Sequence, residues 1–228
     1  MAAVVAALAG CGGSNKSTAP AVPTPQRIYF LRDGRVQPVL RMVSSNDVTT
    51  AVLAELSKGP TSDERRALGL SNAATSPYEL DASKGVVKTH GAFTRAELAQ
   101  VVYTITQHAM KRATVDGRVY TRKNFEEQTP IIFVESPLPF DHVKSPLHAT
   151  GTANTFEATF QYDLRDPGGK LLKTHFVTAT SGTGTRGTFD FSVPFTSPSA
   201  GTGKLVVYEL SAKDGSRIHQ VEIPVRMG

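Results

Sequence analysis

Few residues in this chain combine the type and spacing that chemistry requires. Gly182-Thr183-Gly184-Thr185-Arg186-Gly187 has the letters of the dinucleotide pattern G-x-G-x-x-G. That pattern works only between a strand and a helix N-terminus that receives the pyrophosphate. An alternating run follows here instead, which makes the segment a turn-forming loop. Gly203-Lys204 has the ending of a P-loop, but Pro198 and Leu205 stand where its first glycine and its hydroxyl belong. No G-x-S-x-G elbow occurs. The histidines (His90, His108, His142, His148, His175, His219) show no H-x-H or H-E-x-x-H spacing, so they read as surface or half-buried groups. Glu126-Glu127 reads as a solvated pair at a domain boundary, Glu157 as a solvated strand residue, and Asp214 as a turn former. No catalytic, metal-ligating or cofactor-binding residue is assigned, and the chain reads as a non-enzyme.

The one residue with a specific chemical reading is Cys11. As the single cysteine it excludes an intrachain disulfide and a thiolate zinc site. Residues 1–11 are small and apolar, and read as the apolar part and cleavage region of an export signal. Leu8-Ala9-Gly10-Cys11 resembles a bacterial lipobox. The resemblance implies thioether lipidation of Cys11, cleavage before it, and anchoring by two or three acyl chains. No Lys or Arg precedes the apolar stretch, which implies a true start upstream of Met1. Residues 12–26, rich in Gly, Ser, Thr and Pro, read as an extended tether.

The elements that follow fall into two regions. In residues 27–128, two β-favouring runs (Arg27 to Leu31, Arg35 to Val43) flank Asp33-Gly34, a tight-hairpin signal. Val48, Val52 and Leu56 then recur at helical spacing up to Gly59-Pro60. Thr61 to Glu64 and Thr94 to Glu97 have capping-box spacing. The first opens a short helix ending near Gly69; the second opens a helix with Leu98, Val101, Val102 and Ile105 as its apolar stripe. Val86-Val87, Ala113 to Val115 and Arg118 to Tyr120 are short strands. These elements predict a small α+β domain with helices on one face of a sheet.

Three segments of this region resemble the GerMN domain of bacterial sporulation and spore-germination proteins. They are Arg27 to Arg41, the Gly59-Pro60-Thr61 segment with its flanks, and Gln100-Val101-Val102-Tyr103-Thr104-Ile105-Thr106-Gln107. Lys88-Thr89-His90-Gly91 departs from the family's pattern at one strand end. The resemblance implies an extracytoplasmic, non-catalytic module of envelope assemblies.

Residues 131–228 alternate with period 2. Phe156, Ala158, Phe160, Tyr162 and Leu164 are expected on one face of a strand, as are Phe189, Phe191, Val193 and Phe195, and Val221, Ile223 and Val225. Turn signals at Asp166 to Gly169, Ser181 to Gly187, Ser197 to Gly203 and Asp214-Gly215 punctuate six or seven strands, the pattern of a β-sandwich. Ser136-Pro137-Leu138-Pro139, Ser145-Pro146-Leu147, Gly151 to Ala158, Gly187-Thr188-Phe189 and Ser211 to Ser216 look like motifs of the immunoglobulin-like domain that follows GerMN in bacterial lipoproteins. The expected fold is therefore an α+β GerMN-like domain followed by an all-β immunoglobulin-like sandwich.

Charge narrows the partners. The net charge of +5 arises wholly in residues 1–130, which hold 16 Lys/Arg and 11 Asp/Glu, while residues 131–228 hold 9 of each. Arg65, Arg66, Arg112, Arg118 and Arg122 supply the excess, without the aromatic interleaving of a nucleic-acid surface. Such a face suits an anionic membrane or wall polymer, or plain solvation. The expectation is a non-catalytic interaction or scaffold lipoprotein, held by Cys11 on the extracytoplasmic face of the cell membrane. Its expected partners are envelope proteins or cell-wall polymer. A glycan- or peptidoglycan-binding module is the alternative.

Overall fold

The computed structural model describes residues 21–75, 78–81, 85–107, 110–196 and 199–228; Cys11 and His108 lie outside them. Strands β1 (Thr24–Arg32) and β2 (Arg35–Val43) form an antiparallel ribbon. Its turn puts Asp33 and Gly34 at φ 51° and 74°, the left-handed pair a two-residue hairpin demands. β1 begins at Thr24, so residues 24–26 belong to the ribbon rather than to the expected tether. Helix α1 (Val48–Lys58) is capped by Asp47, whose side chain accepts from the Thr50 amide. Helices α2 (Ser62–Leu68) and α3 (Arg95–Ile105) both open on complete capping boxes, Thr61 with Glu64 and Thr94 with Glu97. Strands β3 (Tyr78–Asp81), β4 (Val86–Thr89), β5 (Ala113–Val115) and β6 (Arg118–Tyr120) make a second sheet in that order, parallel only between β4 and β5. α3 is the crossover that this parallel pair requires.

One sheet with helices on a single face is expected; among the described residues the region has two sheets, with α1 and α3 packed on the ribbon and α3 also touching β5. The free edge of β1 shows why the ribbon needs no third strand. The Arg27 amide donates to Gln107 Oε1 (3.1 Å) and its carbonyl accepts from Gln107 Nε2 (2.9 Å). The Tyr29 amide donates to Thr104 Oγ1 (3.2 Å) and its carbonyl accepts from Gln100 Nε2 (3.0 Å). Leu31 completes the row through backbone bonds with Ser71. Residues 100, 104 and 107 lie along one face at helical spacing, so side chains of α3 and its C-terminal turn stand in for a strand. For the same reason α3 is buried nearly all round, from Glu97 to Ile105 except the half-buried Leu98, and not along one stripe.

A 3₁₀ segment (Arg122–Gln128) leads into the second region. Its strands are β7 (Ile132–Ser136), β8 (His142–Val143), β9 (Leu147–Ala153), β10 (Thr159–Arg165), β11 (Leu171–Thr178), β12 (Gly187–Val193), β13 (Gly201–Leu210) and β14 (Arg217–Met227). They form two sheets, β12-β9-β7 and β11-β10-β13-β14-β8, antiparallel except between β14 and β8. Aromatics fill the space between them. Phe160 meets Phe189 edge-on at 4.9 Å, and Tyr162 stacks on Phe191 at 4.8 Å, within the range of favourable ring contacts.

One alternating run is shorter than its pattern. Phe156–Ala158 is a 3₁₀ turn with Glu157 and Ala158 at φ 50° and 58°, and Phe156 is 58% exposed. Phe160, Tyr162 and Leu164 carry that expected face inward, Ala158 packs partly against the same core from the turn, and Phe156 does not. β12 likewise ends at Val193, with Phe195 half-buried beyond it. The two regions also share packing: Phe133 and Phe140 join the hydrophobic cluster of the first region, not that of the sandwich.

Candidate functional site

Charged side chains converge where the regions meet. Arg122, the first residue of the 3₁₀ segment, is half-buried and points at groups from three elements. Nη1 donates to Glu135 Oε1 on β7 (2.8 Å). Nη2 donates to the Tyr29 hydroxyl (3.1 Å) and the Tyr103 carbonyl (3.2 Å), and Nε to Thr106 Oγ1 (3.2 Å). The guanidinium also lies over the rings of Tyr29 and Tyr103, 5.1 and 4.7 Å from their centres, a cation–π arrangement. Tyr103 is fixed in turn by its hydroxyl, 2.5 Å from Thr129 Oγ1, and by Phe133 edge-on at 5.9 Å.

The electrostatics follow from this burial. Desolvation pushes the Tyr29 and Tyr103 hydroxyls above their ordinary pKa. Burial alone would lower Arg122, but Tyr29 and Glu135 more than offset it and hold the guanidinium charged. Glu135 reaches Arg122 because β7 carries a bulge between Val134 and Ser136, a device that re-aims a strand side chain.

A second arginine closes the other wall. Arg186 donates through Nε and Nη2 to Glu126 (2.9 Å each to Oε2 and Oε1), through Nη2 to the Pro130 carbonyl (2.9 Å) and through Nη1 to Thr152 Oγ1 (3.2 Å). Asn154 ties the same carboxylate to the loop, donating to Glu126 (2.9 Å) and accepting from the Gly184 amide (2.9 Å). Partial burial would raise the Glu126 pKa, yet the hydrogen bonds from Arg186 and Asn154 bring it below the usual carboxylate range.

Between these walls is a cleft of about 560 Å³, lined by Tyr103, Arg122, Lys123, Phe133, Glu135 and Thr152 together with residues of the Arg186 loop. It shares Glu135 and Thr152 with a neighbouring groove of about 480 Å³ over the outer face of β12-β9-β7. That size suits a small ligand or part of a chain.

The residues singled out from sequence are placed as follows. The G-x-G-x-x-G segment is the β11–β12 loop, with a strand after it. Its outer glycines serve close approach: a Cβ at Gly182 would stand 2.4 Å from the Ala158 nitrogen, and one at Gly187 2.3 Å from the Ser181 nitrogen. Glu126 is not a merely solvated neighbour of Glu127 but the partner of Arg186. Glu157 is exposed, on a turn and not a strand. Asp214 accepts from the Ser216 amide and hydroxyl, as a turn former does. His148 pairs with Asp190 (2.6 Å) and His219 with Glu209 (2.8 Å), while His142 and His175 are exposed. Of the arginines, Arg122 turns inward, while Arg65, Arg66, Arg112 and Arg118 are exposed and Arg66 pairs with Asp63 (3.2 Å). Arg186, central to the junction, has no local sequence signal beyond its place among glycines. Among the described residues, no three His, Cys, Asp or Glu side chains group as a metal site, and no helix is long and apolar enough to cross a membrane.

Residues 131–216 match the family Gmad2, the immunoglobulin-like domain of bacterial spore germination. No match is found among curated proteins or among solved structures.

Proposed function

We propose that this protein is a lipoprotein of the extracytoplasmic membrane face, attached through Cys11, and that it acts as a non-catalytic interaction and scaffold protein of the cell envelope. In this reading residues 27–128 are a GerMN-type module and residues 131–228 the immunoglobulin-like domain that accompanies it. The observation that carries the proposal is the match of residues 131–216 to an immunoglobulin-like domain associated with spore germination. The junction supports it. Arg122 and Arg186 spend their donors on Glu135, Glu126 and backbone carbonyls, which binds the two regions together and leaves neither guanidinium free to act on a substrate. A body braced in this way presents its outer faces to partners at fixed spacing.

Fractionation with and without Cys11→Ala tests the anchor. The native chain is expected in the membrane fraction and the variant in the soluble fraction; equal distribution of the two would sink the lipoprotein reading. Crosslinking with mass spectrometry on intact cells tests the scaffold role, with reproducible envelope partners expected.

A further inference from the structure

The groove above β12-β9-β7 has a chemistry of its own. β9 and β12 pair in register, with Thr152 opposite Thr188 and Thr150 opposite Asp190, and these four side chains point away from the core. Thr178 and Thr180 add hydroxyls along the far rim. Alternating polar residues on the outside of a sheet are ordinary; concavity is not. Here Tyr103, Arg122, Lys123 and the β11–β12 loop line the adjoining cleft, which shares Glu135 and Thr152 with the groove, so the hydroxyls lie on the floor of a groove that borders that cleft. The bulge in β7 puts Glu135 at the point where cleft and groove join.

The lining discriminates among ligand classes. A hydroxyl both donates and accepts, and a carboxylate accepts through two oxygens. Thr152 already accepts from Arg186, Glu135 from Arg122, Asp190 pairs with His148 and Thr188 bonds Thr180, but each keeps spare capacity, so with Thr150 they match a ligand dense in hydroxyl groups. An acyl chain or an apolar peptide would desolvate these groups without replacing their hydrogen bonds, at a net cost. A polyphosphate would run beside Glu135, Asp190 and Glu126, and of the cations in the same cleft Arg122 and Arg186 are already paired with Glu135 and Glu126, which leaves Lys123 alone to meet its charge. Lys123, exposed at the mouth of the cleft, offers a donor to an isolated carbonyl or carboxylate oxygen. A polyhydroxylated chain with amide carbonyls along it answers all of these groups.

We propose that this groove binds a glycan chain bearing N-acyl groups. The proposal rests on the extracytoplasmic reading for where such a chain is met, but not on the lipid anchor. It puts the site on the hydroxyl-lined sheet face, beside Arg122 and the β11–β12 loop.

The test uses the purified full chain and two probes, chitotetraose by titration and purified peptidoglycan sacculi by cosedimentation. Saturable binding is expected to at least one. Binding to both assigns the glycan chain itself as ligand; binding to sacculi alone assigns its polymeric form. The double substitution Thr152→Val with Thr188→Val keeps side-chain shape and removes two hydroxyls, and is expected to weaken binding at least tenfold. Lys123→Ala is expected to weaken it about threefold, roughly the loss of one exposed hydrogen bond. Phe176→Ser, on β11 of the other sheet, serves as a control with unchanged binding. Thermal melting of each variant separates lost binding from lost fold, and Thr150→Val replaces any double variant that melts early. The proposal is overturned by no saturable binding to either probe, or by natively melting groove variants that bind as the wild type does. Because binding is read on purified protein, an anchorless result in the Cys11 fractionation leaves it standing, and a null titration leaves the anchor standing.

Discussion

The two regions solve the same problem, how to bury a sheet without stranding its backbone, by opposite means. In the first, polar side chains enter the core. Gln100 is fully buried and makes four hydrogen bonds, accepting from the Ala73 and Ala74 amides and donating to the Tyr29 carbonyl and Asn72 Oδ1. In the second, strands satisfy strands: β10 is paired on both sides, by β11 and β13, and the space between sheets is left to Phe160, Tyr162, Phe189 and Phe191. A two-stranded ribbon can therefore be a core element when a helix supplies amides at the right spacing. The two strategies should also fail differently when cut.

The largest expected effects test that contrast directly. Gln100→Leu strands the Tyr29 carbonyl and two amides at roughly 1–3 kcal/mol each, for a total of about 5 kcal/mol. Phe160→Ala removes a ring that is 1% exposed and costs about 4 kcal/mol through lost burial and a cavity. Urea unfolding gives both losses, and hydrogen exchange locates them. The first variant should release the amides of Tyr29 and Ala74 before the sandwich; the second should release the sandwich and spare β1. Identical exchange maps would show that the regions do not differ in the way described.

Arg186→Lys comes next. Lysine keeps the charge but cannot reach Glu126, Pro130 and Thr152 together, because it lacks the guanidinium fork. The loss is about 2 kcal/mol, in the range for hydrogen bonds to charged groups, and should appear as faster exchange at Ile131 and Asn154, on the linker and just past the end of β9. Wild-type exchange there would mean that the junction does not depend on this arginine.

How much of this could be read from sequence depends on the range of the interaction. The Asp33-Gly34 turn and the Thr61 and Thr94 capping boxes are local, and each forms where its residues predict. The alternation of Phe160 to Leu164 is local too, but it continues by letter into Phe156, where the backbone has already turned through Glu157 and Ala158 at positive φ. Gln100, Thr104 and Gln107 are visible as polar residues at helical spacing. Their partner is a strand edge more than seventy residues away, so spacing alone cannot identify it. Arg122 reads as surface charge and Arg186 as a loop residue for the same reason: Glu135, Glu126 and the aromatic walls reach them only in the folded chain. The glycines around Arg186 have the letters of a phosphate loop but read as a turn, and backbone contact at Ser181 and Ala158 explains two of them.

The smallest effect separates the regions by acid. Asp163 in the sandwich has a side chain only 2% exposed and sits between Arg165 (2.9 Å) and Arg217 (3.0 Å). Burial would raise its pKa, but hydrogen bonds from Arg165, Thr174 and Arg217 and the charge of Arg217 bring it below the usual range. In the first region, Glu64 is similarly lowered by Arg41 and Thr61 against its own desolvation. A depressed carboxylate binds fewer protons folded than unfolded, so its contribution is present above the unfolded pKa, about 4, and fades as pH falls through the lower folded value. Stability should therefore hold between pH 7 and 5 and decline below about pH 4. Glu64 keeps some water contact, so its share of the decline stays below about 1 kcal/mol. Asp163, with two guanidinium partners and almost no solvent, should carry more. Asp163→Asn should flatten the acid limb of the unfolding free energy more than Glu64→Gln does, although it also lowers the plateau by leaving two arginines short of a partner. If Glu64→Gln flattens it more, the acid-sensitive ion pairing of the molecule belongs to the polar first region after all, and the aromatic sandwich is the part that does without it.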